Sequence, residues 1–197
     1  MKPEMITLKH GDTTIKMPAS SLAKLAVASV FAQVLPPAAN VQPIAQTGIP
    51  AVGQPWPGEG GINGGFVPAI GDVPAHYLIF ADCDVGELEW GGRNTESKAT
   101  SRHDGKANTD ILIDEGGHPA AEAARAYSAD GHADFDLPAA SQLYQAWVHR
   151  LITEGAYWSS SQRSAYLAFF MHFDGGYQYG DAKDGELRVR PVRRFFI

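Results

Sequence analysis

Cysteine is almost absent. Cys83 is the only one in 197 residues, so no intrachain disulfide can form and no thiolate zinc cage can be assembled. The fold must be held by its own core, by association of copies, or by both. Basic character is also scarce: the formal charge is −6, which argues against a protein that tracks nucleic-acid phosphates. The one local basic cluster, Arg188, Arg190, Arg193 and Arg194, is interleaved with apolar residues and reads as a terminal strand with charges at its edge. The apolar run LAVASVFAQVL at residues 25–35 is too short to span a bilayer. It also follows a polar stretch containing Glu4, Asp12 and lysines, unlike the compact basic start of a signal peptide. A packed or intersubunit helix is expected there, with no membrane insertion.

Length allows one substantial core with a small appended element, and the chain divides into three zones. Residues 1–35 hold an alternating stretch that turns at His10-Gly11-Asp12, predicting a small hairpin, and then a capped helix to about Leu35. Residues 36–74 are rich in proline and glycine, by default a flexible linker, but the interleaved Ile49, Val52, Trp56, Ile62, Phe66 and Ile70 argue instead for an extended arm that lies on another surface, such as a neighbouring subunit. Residues 75–197 predict the compact domain. Residues 77–80 (YLIF), 88–90 and 111–113 (ILI) read as short strands, 119–127 as a helix with proline in its first turn, and 137–153 as a second helix with Leu143, Trp147, Leu151 and Ile152 on its apolar stripe. Aromatic strands and a closing RVRPV strand follow, so the fold class is α+β with two helices, short antiparallel strands and much loop.

Aromatic residues crowd the C-terminal part: Tyr157, Trp158, Tyr166, Phe169, Phe170, Phe173, Tyr177 and Tyr179. Residues 166–173 alternate, so Leu167, Phe169, Met171 and Phe173 are expected toward the core and Tyr166, Ala168, Phe170 and His172 outward. After the Asp174-Gly175-Gly176 turn, Tyr177, Tyr179 and Asp181 share a face, and the two outward sets should lie side by side on a hairpin. Tyrosine offers a large contact area, few torsions to freeze and one hydroxyl, which suits a binding surface. The alternative is a second buried layer, but Asp, Gly and His would not be buried there cheaply.

The segment Phe135-Asp136-Leu137-Pro138 with Ser141-Gln142-Leu143, and the ending Tyr157-Trp158-Ser159-Ser160, Ala168-Phe169, Phe173, Gly176 and residues 188–193 (RVRPVR), resemble C-type-lectin-like domains of the formylglycine-generating-enzyme and sulfatase-modifying-factor type, in their non-enzymatic bacterial and phage branch. The likeness covers about residues 75–197. It implies a C-type-lectin-like fold and ligand binding, and it extends to the variable proteins of diversity-generating retroelements, whose exposed residues change while the buried frame stays fixed. The resemblance implies a frame of Trp158, Phe169, Phe173, Arg188 and Arg190. The free positions would be Tyr166, Leu167, Phe170, His172, Asp174, Tyr177, Tyr179, Asp181 and Lys183. The family's oxidising enzymes need a cysteine pair, and this chain has Cys83 alone. The Glu-Pro-Asn and Gln-Pro-Asp sugar motifs of calcium-dependent lectins are not evident.

Other constellations read as structural. Asp130, His132, Asp134 and Asp136, with His118 nearby, lack the ligand set of a metal site and predict a polar turn, with Asp134 as a cap. Asp82-Cys83-Asp84 predicts a solvated turn without a partner acid or base. Ser159-Ser160-Ser161 lacks the Gly-x-Ser-x-Gly context of an esterase, and Gly60-Gly61 with Gly64-Gly65 lacks the lysine of a phosphate loop. The expectation is a binding protein without catalytic residues, metal or cofactor, on a virion or cell surface. It would be an adhesin or receptor-binding protein for a protein or glycan ligand, or a structural tail or capsid decoration component. Residues 1–74 would join it to other subunits or to copies of itself as a homo-oligomer.

Overall fold

The structure, a computed structural model, describes residues 4–10, 13–21 and 48–197. Two units are present, residues 1–48 and 49–197. In the first, β1 (Met5–His10) pairs antiparallel with β2 (Thr13–Pro18), as the alternation predicts. The expected helix to Leu35 falls, beyond residues 19–21, outside the described residues. No helix among the described residues is long and apolar enough to cross a membrane.

The second unit is α+β. A four-stranded sheet runs in the order β11-β5-β4-β3, from Val192–Phe196, His76–Phe80, Gly61–Val67 and Pro55–Trp56. A five-stranded sheet runs in the order β6-β10-β7-β8-β9, from Glu87–Glu89, Glu186–Arg188, Ala156–Gln162, Leu167–His172 and Tyr177–Ala182. Helices α1 (Gly105–Glu115), α2 (Pro119–Ala126) and α3 (Ala140–Val148) lie between β6 and β7 in sequence. One apolar cluster gathers Trp90, Leu112, Leu137, Trp158 and Ala168; the other gathers Leu78, Phe80, Leu143, Tyr157, Met171 and Phe173.

Five expectations change. From residue 49 onward the proline- and glycine-rich segment is not an arm, because β3 and β4 build the four-stranded sheet. Its glycines serve close packing: a Cβ at Gly61 would stand 2.1 Å from the Phe80 carbonyl oxygen, and one at Gly64 2.6 Å from the Phe80 ring. Residues 111–113 are helix, not strand, giving three helices in this unit instead of two. Asp104 caps α1 by accepting from the Ala107 amide at 2.8 Å. Half of that helix's buried face is polar, Asn108 and Thr109, so no apolar stripe marked it.

The RVRPV segment is two strands in different sheets, broken at Pro191, which has no amide to donate. Helix α3 is shorter than the expected 137–153: it closes at His149, and Arg150 takes φ +55°. Asp134 is not its cap; the cap position is Ala139, whose amide is held by the Gln142 side chain at 2.7 Å.

Candidate functional site

Strands β8 and β9 form the expected hairpin. His172 pairs with Tyr177, Phe170 with Tyr179 and Ala168 with Asp181, so the two sets read as outward do lie side by side. Across that face exposure grades toward the edge strand. Ala168 is fully buried and Phe170 half-buried against the Trp158 cluster, their rings 6.4 Å apart and nearly perpendicular. Tyr177 and Tyr179 are 51% and 61% exposed, Tyr166 59%, and Asp181 is exposed as well.

The turn is built for one geometry. Gly176 takes φ +66°, and a Cβ there would stand 2.2 Å from the Trp147 ring. The Asp174 carboxylate accepts from the Gly155 amide at 2.8 Å, which holds its pKa below the ordinary aspartate value. It also lies 3.6 Å from His172 Nδ1. The His172 ring stacks on Tyr177, centroids 5.0 Å apart and planes 8° from parallel. Tyr177 is thus pre-oriented, which lowers the entropy lost when it is covered.

Not every expected surface residue is on the surface. Lys183 is buried: its ammonium donates to the Thr95 carbonyl at 2.8 Å and to Gln162 Oε1 at 2.7 Å, over the Trp90 ring. It leaves the binding set and joins the frame. Phe170 is a half-buried packing residue and Leu167 is half-buried too. Among the frame residues, Trp158 and Phe173 are buried; the Trp158 indole donates to the Leu88 carbonyl at 2.9 Å. Arg190 holds Asp84 at 2.5 Å and the Ala81 carbonyl at 3.0 Å, and Arg188 reaches Glu87 at 3.5 Å. Phe169 was expected in the core and is instead half-buried beneath guanidiniums.

The guanidinium of Arg102 lies 4.5 Å from the Phe169 centroid. That of Arg163 lies 5.7 Å from Phe169 and 4.6 Å from Tyr179. The strand partner of Phe169 is Gly180, and Arg163 fills the space a side chain would take there: a Cβ at Gly180 would stand 2.6 Å from Arg163 Cδ. Neither Arg102 nor Arg163 has a carboxylate partner among the described residues, whereas Arg93, Arg125, Arg188, Arg190, Arg193 and Arg194 all do. Sequence reading missed both arginines. The available signal was Gly180 between Tyr179 and Asp181, a gap in the side-chain row that some long residue must cover.

The other constellations resolve as structure. Asp136 pairs with Arg125 at 2.5 Å, while Arg193 is gripped by Glu59 and Asp134 at 2.8 Å each. His132 lies 3.5 Å from Glu59. The three consecutive serines 159–161 are all buried because the β7–β8 register shifts between Trp158 and Gln162. Ser159 donates to the Phe169 carbonyl at 2.8 Å and Ser161 to that of Ser101 at 2.7 Å. A separate cavity of about 440 Å³ is walled by Trp56, Pro57, Ile62, Asp82, Tyr127 and Asp130. Burial, with Cys83 and Asp82 nearby, raises the Tyr127 hydroxyl to about 12, so it remains a donor, to Asp82 at 3.3 Å.

The hairpin presents Tyr177, Tyr179 and Asp181 on one face with Arg163 against the Tyr179 ring, while Arg102 covers Phe169 on the other face. No protein-family model matches this chain, and no curated protein matches it.

Proposed function

We propose that this chain is a non-enzymatic ligand-binding protein, an adhesin or receptor-binding component of a phage or bacterial surface, built on a C-type-lectin-like scaffold. The observation that carries the reading is the set of three tyrosines, Tyr166, Tyr177 and Tyr179, each more than half exposed, on a hairpin whose Phe170, in the same cross-strand row as Tyr179, packs against Trp158. Exposed aromatic groups on a rigid support lose little entropy on binding and make effective anchors. Asp181 and Asp174 at the same face would tune specificity. Residues 1–48 would attach the domain to other subunits or to copies of itself.

The resemblance to variable proteins of diversity-generating retroelements fits the same division between exposed and buried positions. Sequencing the gene's 3′ end across its source population tests it: substitutions confined to Tyr166, His172, Asp174, Tyr177, Tyr179 and Asp181 support a diversified surface. An invariant 3′ end removes that support. The binding reading has its own test. The triple variant Tyr166→Ala, Tyr177→Ala, Tyr179→Ala should lose cell-surface binding while its melting temperature and assembly stay unchanged. Failed assembly with binding intact would instead mark a structural tail or capsid component.

A further inference from the structure

The open edge of β9 narrows what that surface binds. β9 is the last strand of its sheet, and the directions of its main-chain groups follow from hydrogen bonds at either end of β8. The Phe173 amide donates to Gly155 on the β7 side, and the Lys183 amide donates to the Tyr166 carbonyl from the β9 side. Antiparallel ladders alternate, so Tyr177, Tyr179 and Asp181 turn their main chain toward β8, and Gln178, Gly180 and Ala182 turn theirs to the open edge. Ala182 is already closed off: its amide donates to Asp181 Oδ1 and its carbonyl accepts from the Gly185 amide, both at 2.8 Å. The amides and carbonyls of Gln178 and Gly180 have no partner beyond β9 among the described residues.

This edge carries little that blocks pairing, its one charge being Asp181, whose main chain turns toward β8. It is six residues long, contains no proline and no lysine, and has glycine at its centre. The Gln178 side chain does not cover it, because its amide is tied to the Ala140 carbonyl. Beside Gly180 stands the Arg163 guanidinium, held on the Tyr179 ring and without a carboxylate partner among the described residues; Arg102 repeats that condition over Phe169.

We infer that the ligand is an extended polypeptide segment carrying an acidic side chain, which adds to the five-stranded sheet as a strand beside β9. Its main chain exchanges hydrogen bonds with Gln178 and Gly180, and its carboxylate meets Arg163. Main-chain pairing supplies affinity, and the flanking tyrosines and arginine supply selectivity. The inference rests on the binding reading above, and the experiment separates the two.

The full chain is panned against a display library of random dodecapeptides and, in parallel, against an array of neutral and acidic glycans. The expected result is enrichment of peptides with a β-branched run and at least one Asp or Glu. Gly180→Ala and Gly180→Pro both crowd Arg163, but only the proline removes the outward amide, so binding of an enriched peptide should be at least tenfold weaker in Gly180→Pro than in Gly180→Ala. Arg163→Gln should weaken it about tenfold and flatten its salt dependence. Each variant's melting curve is taken first, so a misfolded one is not read as a binding loss. Absence of peptide enrichment, or a folded Gly180→Pro variant that binds like Gly180→Ala, overturns strand addition. Glycan binding that is lost in the tyrosine variants but indifferent to Gly180→Pro overturns it too, while leaving the binding reading standing. Silence in both screens counts against both.

Discussion

The ammonium of Lys183 lies 4.6 Å from the centroid of the Trp90 ring, inside the domain and beneath the hairpin it was expected to decorate. Burial pushes its pKa below the usual 10.5, only partly opposed by Glu96 and Glu115. The unfolded chain therefore holds that proton more tightly, and between the lowered value and 10.5 stability must rise with pH. Lys183→Met should cost about 1–3 kcal/mol near neutrality, through the lost cation–ring contact and the unpaired Thr95 carbonyl. The gap between parent and variant should widen as pH climbs toward 10.5. Urea melts at a series of alkaline pH values measure it, and a gap independent of pH would rule out a buried charged lysine.

His76 carries the opposite end of the pH range. It is buried, its Nδ1 lies 2.7 Å from the Pro74 carbonyl, and its Nε2 has no partner among the described residues. Burial lowers its pKa from 6.5, with Arg194 acting in the same direction and the Pro74 bond and Asp104 against it. The unfolded chain takes up the proton first, so the His76 contribution is intact above 6.5 and is lost as pH falls from there toward the folded value. His76→Phe should flatten that loss in chemical denaturation between neutral pH and about pH 5. Parallel curves for parent and variant would reject the assignment.

Trp158 is fully buried, edge-on to Phe170 and bonded to the Leu88 carbonyl. Trp158→Ala should cost about 3–5 kcal/mol. A melting temperature within a degree or two of the parent would mean the hairpin is supported by something else.

The glycines of β4 make a sharper test of the fold. Gly61→Ala drives a methyl against the Phe80 carbonyl, a backbone atom that cannot step aside, and should cost about 1–3 kcal/mol or more. Gly48→Ala, with nothing within 4 Å of the added methyl among the described residues, should change stability by no more than about 0.5 kcal/mol. Equal effects at the two positions would mean β4 does not pair beside β5 as described.

What could be read from the sequence was whatever repeats locally. The alternation of β1–β2 and of β8–β9, the proline at the start of α2 and the buried Trp158 each rest on a pattern a few residues long. What escaped depends on distant partners. Residues 49–74 looked like an arm because proline and glycine signal flexibility unless one knows that Phe80 lies against Gly61 and Gly64. Helix α1 was hidden because Asn108 and Thr109 are buried through bonds to Ser101, Ser160, Gly105 and Leu137, which no hydrophobic pattern records. Lys183 looked like surface because charge usually is, and Arg102 and Arg163 gave no signal apart from the vacancy at Gly180.

The buried serines 159–161 have a consequence for how such a protein can change. They hold strand β7 to Phe169, Ser101 and α3 through hydroxyls that point away from solvent, while Tyr177 and Tyr179 stand on a strand whose side chains the core barely touches. On the proposed binding reading, folding and recognition fall to separate residues. A lineage would then exchange one partner for another at Tyr177, Tyr179 or Asp181 without passing through unfolded ancestors, because the mutations that alter preference are not those that alter persistence.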